Sequence, residues 1–389
     1  MKPKPFLFPT ASIAAIVYAP YLGAYVRYNG VFPENYFKFP PEKIDKLLYH
    51  PTLFLIGAII VGLIVIFYLF PTLFGFKKNR LPHTGLKMGK LPIWFWIGLI
   101  TWAITLILLM ARIDHPRWFL NWSFVPLCWG FIFALDGVVY SLNNSKSMFS
   151  QHPTELFGMG MVSVTGWLIF EYLNLFIKHN WHFPTADLVK HDSFLLYAVL
   201  GSSAFLPMSF EWYQLLKKLP ILRLKYKNGP KLLWPKWLKI LLFVLALGGL
   251  FTTPFFPDTL FWLIWLAPVV ILTIALDLIR IRTPFTDIAD TGNWSALMLF
   301  SLTFLIQGVL LECWNYLSGH HLPGGGLETY NAAYWAYSIP YLSNFYVFEM
   351  PILGYSGYLL FSIHCWLWWI AFSELMNIST IFSLGEDFR

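Results

Sequence analysis

The sequence predicts an all-α, polytopic integral membrane protein with about ten transmembrane helices. The 389 residues are 57% hydrophobic and 20% aromatic, and only 12% are charged, whereas about a quarter of the residues in a typical soluble domain are charged. Apolar segments recur along the whole chain, and each is close to the roughly 20 residues that a helix needs to cross a hydrocarbon core. Lys and Arg are concentrated in alternate loops between these segments. Together these observations exclude a soluble enzyme or a soluble binding module.

The predicted helices cover ten segments of the chain. They are placed near residues 10–28, 52–74, 93–112, 119–141, 156–178, 193–215, 237–254, 258–279, 294–317 and 346–373. Lys2 and Lys4 before the first segment are also typical of a signal peptide, but Pro20 and Tyr21 interrupt a small-residue cleavage site and favour a retained helix. The three cysteines are isolated and predict neither a disulfide framework nor a zinc site.

The charge distribution predicts the orientation. On the ten-helix scheme, 19 of the 27 Lys and Arg residues fall on one side of the membrane. Basic loops face the cytoplasm in most membrane proteins, so both termini are expected to be cytoplasmic. This arrangement also accounts for the net charge of +7 without nucleic acid as a partner.

Polar residues recur at a constant spacing and predict an internal duplication. Glu171, Asn174 and His179 recur as Glu312, Asn315 and His320, and Ala134–Asp136 recurs as Ala275–Asp277. Further along, Trp181-His-Phe183 corresponds to Trp335-Ala-Tyr337, and Glu211 falls opposite His364. Four-helix repeats preserve orientation, so the repeats are expected to be parallel, with one cavity between them. The predicted organisation is an N-terminal helix pair with a basic loop (1–92), repeat 1 (93–216), a basic linker (217–236), repeat 2 (237–373) and a cytoplasmic tail (374–389).

The candidate catalytic residues form a polar layer near the outer surface. An ionisable group in a spanning helix costs at least about 2.5 to 3.5 kcal/mol on insertion scales, so it usually faces the protein interior and marks function. We expect Glu171, Glu312 and Glu349 to donate or accept protons, and Asn174 and Asn315 to orient them. The competing interpretation is that these carboxylates are hydrogen-bonded packing contacts between the repeats.

A second polar layer and several aromatic residues are candidates for substrate binding. The candidates are Asp136, Asp277, Glu211 and His364 near the cytoplasmic ends of their helices, and Trp181, Trp314, Trp335 and Tyr337 near the outer surface. The rings suit a flat or polyunsaturated lipophile, or a cation held against ring faces. Packing and lipid contact are the alternative explanation for them.

A metal site is the weaker alternative for the polar outer layer. Glu171 with His179 and His182, and Glu312 with His320 and His321, combine ligands that suit zinc, iron or manganese. Their spacing matches no established ligand pattern, and no metal or other cofactor is assigned.

The segment Pro153-Thr-Glu155-Leu-Phe157 resembles part of the Pro-x-Glu-Glu-x-x-Phe signature of the membrane carotenoid cyclases. Leu156 stands where the signature has its second acid, and the second repeat has no equivalent segment. The resemblance implies a helical, duplicated membrane protein and carries no catalytic assignment over to this chain.

Three hypotheses for the function follow. The leading one is a membrane-embedded enzyme that acts on a lipid or isoprenoid-like substrate by acid–base chemistry between the repeats. The alternatives are a proton-coupled transporter and an accessory subunit of a larger membrane complex. Expected partners are membrane lipids, a lipophilic small molecule and other membrane proteins.

Overall fold

The computed structural model describes residues 7–41, 49–79, 87–113, 115–323 and 326–382. Residues 1–6 and 383–389 at the termini, and residues 42–48, 80–86, 114 and 324–325 in connecting loops, lie outside the described ranges. In the described part, the helices are α1 Leu7–Arg27, α2 Pro51–Leu69, α3 Ile93–Met110, α4 Arg117–Asn121, α5 Phe124–Leu142, α6 Met148–Gln151, α7 Pro153–Asn174, α8 His191–Ser202, α9 Phe205–Lys217, α10 Pro220–Lys225, α11 Lys236–Thr252, α12 Pro257–Leu260, α13 Leu263–Leu278, α14 Pro284–Thr291, α15 Ser295–Ser318 and α16 Gly357–Leu375.

The helical, multi-pass character that the sequence predicts is confirmed. Eight helical segments of the described chain are long and apolar enough to cross a membrane: Pro51–Leu69, Ile93–Met110, Phe124–Leu142, Pro153–Asn174, His191–Lys217, Lys236–Phe255, Ser295–Ser318 and Ile352–Leu375. The other two expected spans are also helical, as α1 with 21 residues and α13 with 16. The count of ten spans stays a prediction.

Several predicted spans are interrupted or begin elsewhere. The span expected at 193–215 is divided into α8 and α9. Pro207 lies in the first turn of α9, where the lack of a backbone N–H breaks no hydrogen bond within the helix. The span expected at 346–373 begins with two short strands, and its α-helix starts only at Gly357. Glu349 therefore lies in a loop between strands and not at the start of a spanning helix.

The two halves of the bundle use corresponding helix contacts. In the first half α3 packs on α5 and α7 on α9, and in the second half α11 packs on α13 and α15 on α16. Between the halves, α9 contacts α15 and α7 contacts α16. α1 packs on α11 and α13, whereas α2 buries no residue and lies at the periphery of the described part.

Glycines allow the closest helix contacts. A methyl group added at Gly98 would lie 2.5 Å from the carbonyl oxygen of Gly130, so α3 and α5 touch through their backbones. Gly23 on α1 is in a still tighter contact, because its added Cβ would lie 1.8 Å from the carbonyl oxygen of Phe251. Small residues permit this close approach between helices in lipid, where dispersion contacts drive packing.

In the part of the chain that the structure describes, six short strands cover one end of the bundle, which we call the capped end. They are β1 Trp181–His182, β2 Gly319–His321, β3 Leu327–Thr329, β4 Ala336–Tyr337, β5 Tyr346–Val347 and β6 Met350–Pro351. They form three antiparallel pairs, β1 with β4, β2 with β3 and β5 with β6. The β1–β4 pair joins the segment after α7 to the segment after α15, with Trp181 opposite Tyr337 and His182 opposite Ala336.

Glu155, in the segment that resembles the cyclase signature, holds the C-terminal segment of the described chain. Its Oε1 accepts hydrogen bonds from the Thr380 hydroxyl and from the backbone N–H of Ile381. Trp369 on α16 donates its indole N–H to the same Thr380 hydroxyl, at 2.9 Å. The contacts of Glu155 are therefore those of an anchor between α7 and the chain that follows α16.

We expect Glu155→Ala to detach residues 376–382 from α7, because it removes the acceptor that pairs Thr380 and Ile381. Hydrogen–deuterium exchange of a peptide covering these residues should become faster than in the unmodified protein. Glu374→Ala, which removes an exposed acid from the end of α16, is the matched control and should leave the exchange unchanged. Equal protection in both variants would contradict the anchor.

Candidate active site

Glu171 lies at the capped end of α7, three residues before the helix ends at Asn174. Its two carboxyl oxygens each accept one indole N–H: Oε1 from Trp167 at 2.9 Å and Oε2 from Trp181 at 3.0 Å. Trp167 stands one turn earlier on α7, and Trp181 belongs to β1. The side chain is almost fully buried, so a helix residue and a strand residue together supply the hydrogen bonds that this carboxyl group needs.

Glu312 on α15 has more hydrogen-bond donors than Glu171, and all of them point at one oxygen. Oε1 accepts the indole N–H of Trp335 at 3.0 Å and the hydroxyls of Tyr337 at 2.7 Å and Tyr358 at 2.6 Å. Burial, and then the neighbouring Glu312, raises the pKa of Tyr337 well above its usual range, so this phenol keeps its proton. Oε2 is buried and makes no hydrogen bond within the described part of the chain.

Asn174 and Asn315 position the tryptophans. The Asn174 side-chain amide donates to the backbone carbonyl of Trp181 at 2.9 Å, and that of Asn315 donates to the carbonyl of Trp335 at 2.8 Å. Each asparagine stands three residues after its glutamate, one helical turn closer to the capped end. After each of the two helices, the chain folds back over the helix end. There the asparagine bonds to the tryptophan backbone, and the tryptophan indole bonds to the glutamate. Each asparagine therefore holds the tryptophan whose indole bonds to the glutamate.

An aromatic cavity of about 280 Å³ lies beside these carboxyl groups. Fourteen of the thirty residues that the described chain contributes to its lining are aromatic, including Trp167, Trp181, Trp335, Tyr337 and Tyr358. Glu171 lines it directly, and the donors to Glu312 form part of its wall. The lining draws on both halves of the bundle and on the strands of the capped end, and its size is at the lower end of the range for small-molecule sites.

Glu349 joins a separate polar cluster nearer the surface. Its Oε1 lies 2.6 Å from His321 Nε2 and accepts the hydroxyl of Tyr334 at 2.6 Å. Tyr316 stacks on the His321 ring at 4.6 Å. Burial, followed by the hydrogen bond to Glu349, raises the pKa of Tyr334. This cluster joins the loop between β5 and β6 to β2 and lies outside the lining of the aromatic cavity in the described part.

The deeper polar residues divide among three different contacts. Asp136 accepts the indole N–H of Trp94 and the Ser147 hydroxyl, both at 2.8 Å, and Glu211 lies beside it. Asp277 forms an ion pair with Lys239 at 2.7 Å. His364 is fully buried between the rings of Phe170 and Trp368. None of the four predicted residues is part of the lining that the described chain gives to the aromatic cavity.

The remaining candidates lie in loops, in strands and at a helix interface. Trp314 packs against Phe131 and Trp102, at ring distances of 5.1 and 5.9 Å, and helps to join α15 to α3 and α5. His182 is buried in β1, His320 pairs with Glu328 in the β2–β3 pair, and His179 follows the end of α7. In the described part of the chain, no group of three or more His, Cys, Asp or Glu side chains is placed to hold a metal ion.

Trp167, Tyr358 and Trp265 are site residues that the sequence did not single out. Trp167 precedes Glu171 by four residues, and that spacing places the two side chains on one face of the helix. The sequence therefore contains a signal for this contact. Tyr358 and Trp265 reach the cavity from α16 and α13. Their positions depend on helix packing, and no local pattern marks them.

No protein-family model matches the chain, and no curated protein or solved structure is significantly similar to it.

We expect Asn315→Ala to destabilise the protein by about 1–3 kcal/mol, because it leaves the half-buried backbone carbonyl of Trp335 without its donor. The midpoint of thermal unfolding in detergent should fall. The matched control is Asn344→Ala, since Asn344 makes an exposed hydrogen bond to the next residue, Phe345. An equal fall in both variants would argue against the positioning role of Asn315.

Proposed function

We propose that this protein is a membrane-embedded enzyme that binds a lipophilic substrate in the aromatic cavity and exchanges protons with it. The observation that carries the proposal is the pair of buried carboxyl groups, Glu171 in the cavity wall and Glu312 behind Tyr337 and Tyr358. A carboxyl group removed from water and held by fixed donors is suited to general acid–base work.

The two glutamates take different parts in this proposal. Glu171 exchanges a proton with the substrate directly, because it lines the cavity. Glu312 does so through the phenol hydroxyls of Tyr337 and Tyr358, which line the cavity and bond to its Oε1. Because three donors on that oxygen stabilise the carboxylate, Glu312 acts as the base: a phenol passes its own proton to Oε1 and takes up the proton of the substrate.

We also propose that the two halves are parallel repeats related by a pseudo-two-fold axis. Equivalent contacts support this: Asn174 with Trp181 corresponds to Asn315 with Trp335. In the β1–β4 pair, His182 lies opposite Ala336, the residue that the repeat makes its counterpart. A two-fold axis between the repeats brings such counterparts together.

The proposed topology places both termini and the basic loops in the cytoplasm. On this scheme Lys90 before α3 and Lys231 before α11 lie on the same side, and Lys190 before α8 lies on the other.

We expect a membrane-impermeant maleimide to label Lys190→Cys in intact cells, and to label Lys90→Cys and Lys231→Cys only after permeabilisation. The native cysteines are buried or half-buried, and the unmodified protein gives the background. Labelling of Lys90→Cys and Lys231→Cys from opposite sides would contradict parallel repeats.

We expect the purified protein, incubated in D₂O with the total lipid extract of the membranes that contained it, to introduce deuterium into one lipid class. Proton transfer to carbon makes the label stable, and mass spectrometry detects it. Glu171→Gln and Glu312→Gln keep the shape of the side chain and remove its titration, so each should lower the incorporation at least about a hundredfold, the low end of what general acid–base catalysis contributes.

Glu328→Gln is the control, because Glu328 is an exposed acid of β3 at the capped end. Incorporation that persists in both cavity variants would exclude the proposed roles. A protein that retains a lipid without labelling it would fit the transporter or the accessory subunit instead.

A further inference from the structure

The cavity wall contains an acid and, among the residues that the structure describes, no basic side chain. Among its lining residues in the described chain, Glu171 is the acid, and no Lys, Arg or His accompanies it. The hydrogen-bond donors to Glu171 and Glu312 are indoles and phenols, which are neutral. The ion pairs of the described chain involve other acids, namely Asp258, Asp277, Asp287, Asp290 and Glu349.

A buried carboxylate without a cation is costly, because neutral donors replace only part of the hydration that it loses. The charge is removed by a proton, or it is balanced by a ligand that brings a positive charge. The cavity suits a positively charged ligand, because it has room for a small molecule and is rich in aromatic rings.

Three neighbouring tryptophan rings in the cavity wall form a cluster that we call the cage, and two of them, Trp167 and Trp181, bond to Glu171. Trp167, Trp181 and Trp265 all line the cavity, and the rings of Trp167 and Trp265 lie 6.0 and 5.6 Å from that of Trp181. The faces of aromatic rings attract cations, and Trp does so most strongly. Several Trp rings beside one carboxylate form the arrangement by which proteins recognise quaternary ammonium groups.

We propose that the aromatic cavity binds a lipophilic cation, with its positive centre in the cage of Trp167, Trp181 and Trp265 and with Glu171 as the counter-ion. This inference rests on the proposed function in using the same cavity, and it names the substrate class as an amphiphile with a cationic group. The apolar part of the ligand takes the remainder of the wall, which Phe, Leu and Ile residues supply.

The test compares two probes on the full-length protein in an uncharged detergent. Decyltrimethylammonium carries the cation, and its isostere with carbon in place of nitrogen does not. Isothermal titration should give a dissociation constant at least about tenfold lower for the cation, the factor that corresponds to roughly 1.4 kcal/mol. Equal affinity for the two probes, or binding of neither, would overturn the proposal.

Variants assign the preference to the cage. Glu171→Gln should remove the preference for the cation and leave the affinity for the neutral isostere unchanged, which also reports that the variant is folded. Asp187→Asn removes an exposed acid after β1 and should keep the full preference. A preference for the cation that survives Glu171→Gln overturns the assignment of Glu171 as the counter-ion. If a variant does not fold, the comparison of the two probes on the unmodified protein still decides whether the cavity prefers a cation.

The outcome is independent of the labelling experiment in D₂O. Deuterium incorporation without a preference for the cation would leave the acid–base enzyme standing and remove the cationic substrate. A preference for the cation without incorporation would leave a binding site and remove the enzyme.

Discussion

The hydrogen bond between a returning tryptophan and a buried glutamate is the interaction on which the capped end depends. A carboxyl group inside a membrane protein needs donors, because lipid supplies none and each unsatisfied polar group costs several kcal/mol. Glu171 and Glu312 meet this requirement with Trp181 and Trp335, which come from segments that fold back over the ends of α7 and α15. These hydrogen bonds, together with those of Asn174 and Asn315, hold the returning segments against the ends of α7 and α15.

The helices below the capped end keep the cavity in place through contacts of a different kind. Backbones meet at Gly98 and Gly130, where no side chain separates α3 from α5. The halves are joined by the indole of Trp212, which donates to Gln307 at 2.8 Å, and by that of Trp368, which donates to Thr165 at 3.1 Å. A cavity that lies between two halves fixed in this way has a defined shape before any ligand enters, which lowers the entropic cost of binding.

The two glutamates have the same local frame and different surroundings. Each has an asparagine one turn later and an indole donor that this asparagine positions. Glu171 lines the cavity and has one donor on each oxygen, whereas Glu312 has three donors on one oxygen and is screened by two tyrosines. In many active sites, two identical acids take different roles because their surroundings differ. In our proposal, one acid meets the ligand directly and the other acts through phenols.

The sequence by itself determined the membrane character and most helix positions, and it singled out Glu171, Asn174, Glu312 and Asn315 as polar residues within apolar segments, because apolar length and polar interruptions are local properties of the chain. The repeated spacing of polar residues also makes Trp181 and Trp335 counterparts. Only the tertiary structure decided that Glu349 bonds to His321 and Tyr334, that Asp136 and Asp277 lie away from the aromatic cavity, and that Tyr358 and Trp265 belong to the site. These outcomes depend on which helix faces meet and on where a loop returns, and both are set by packing between segments far apart in the chain.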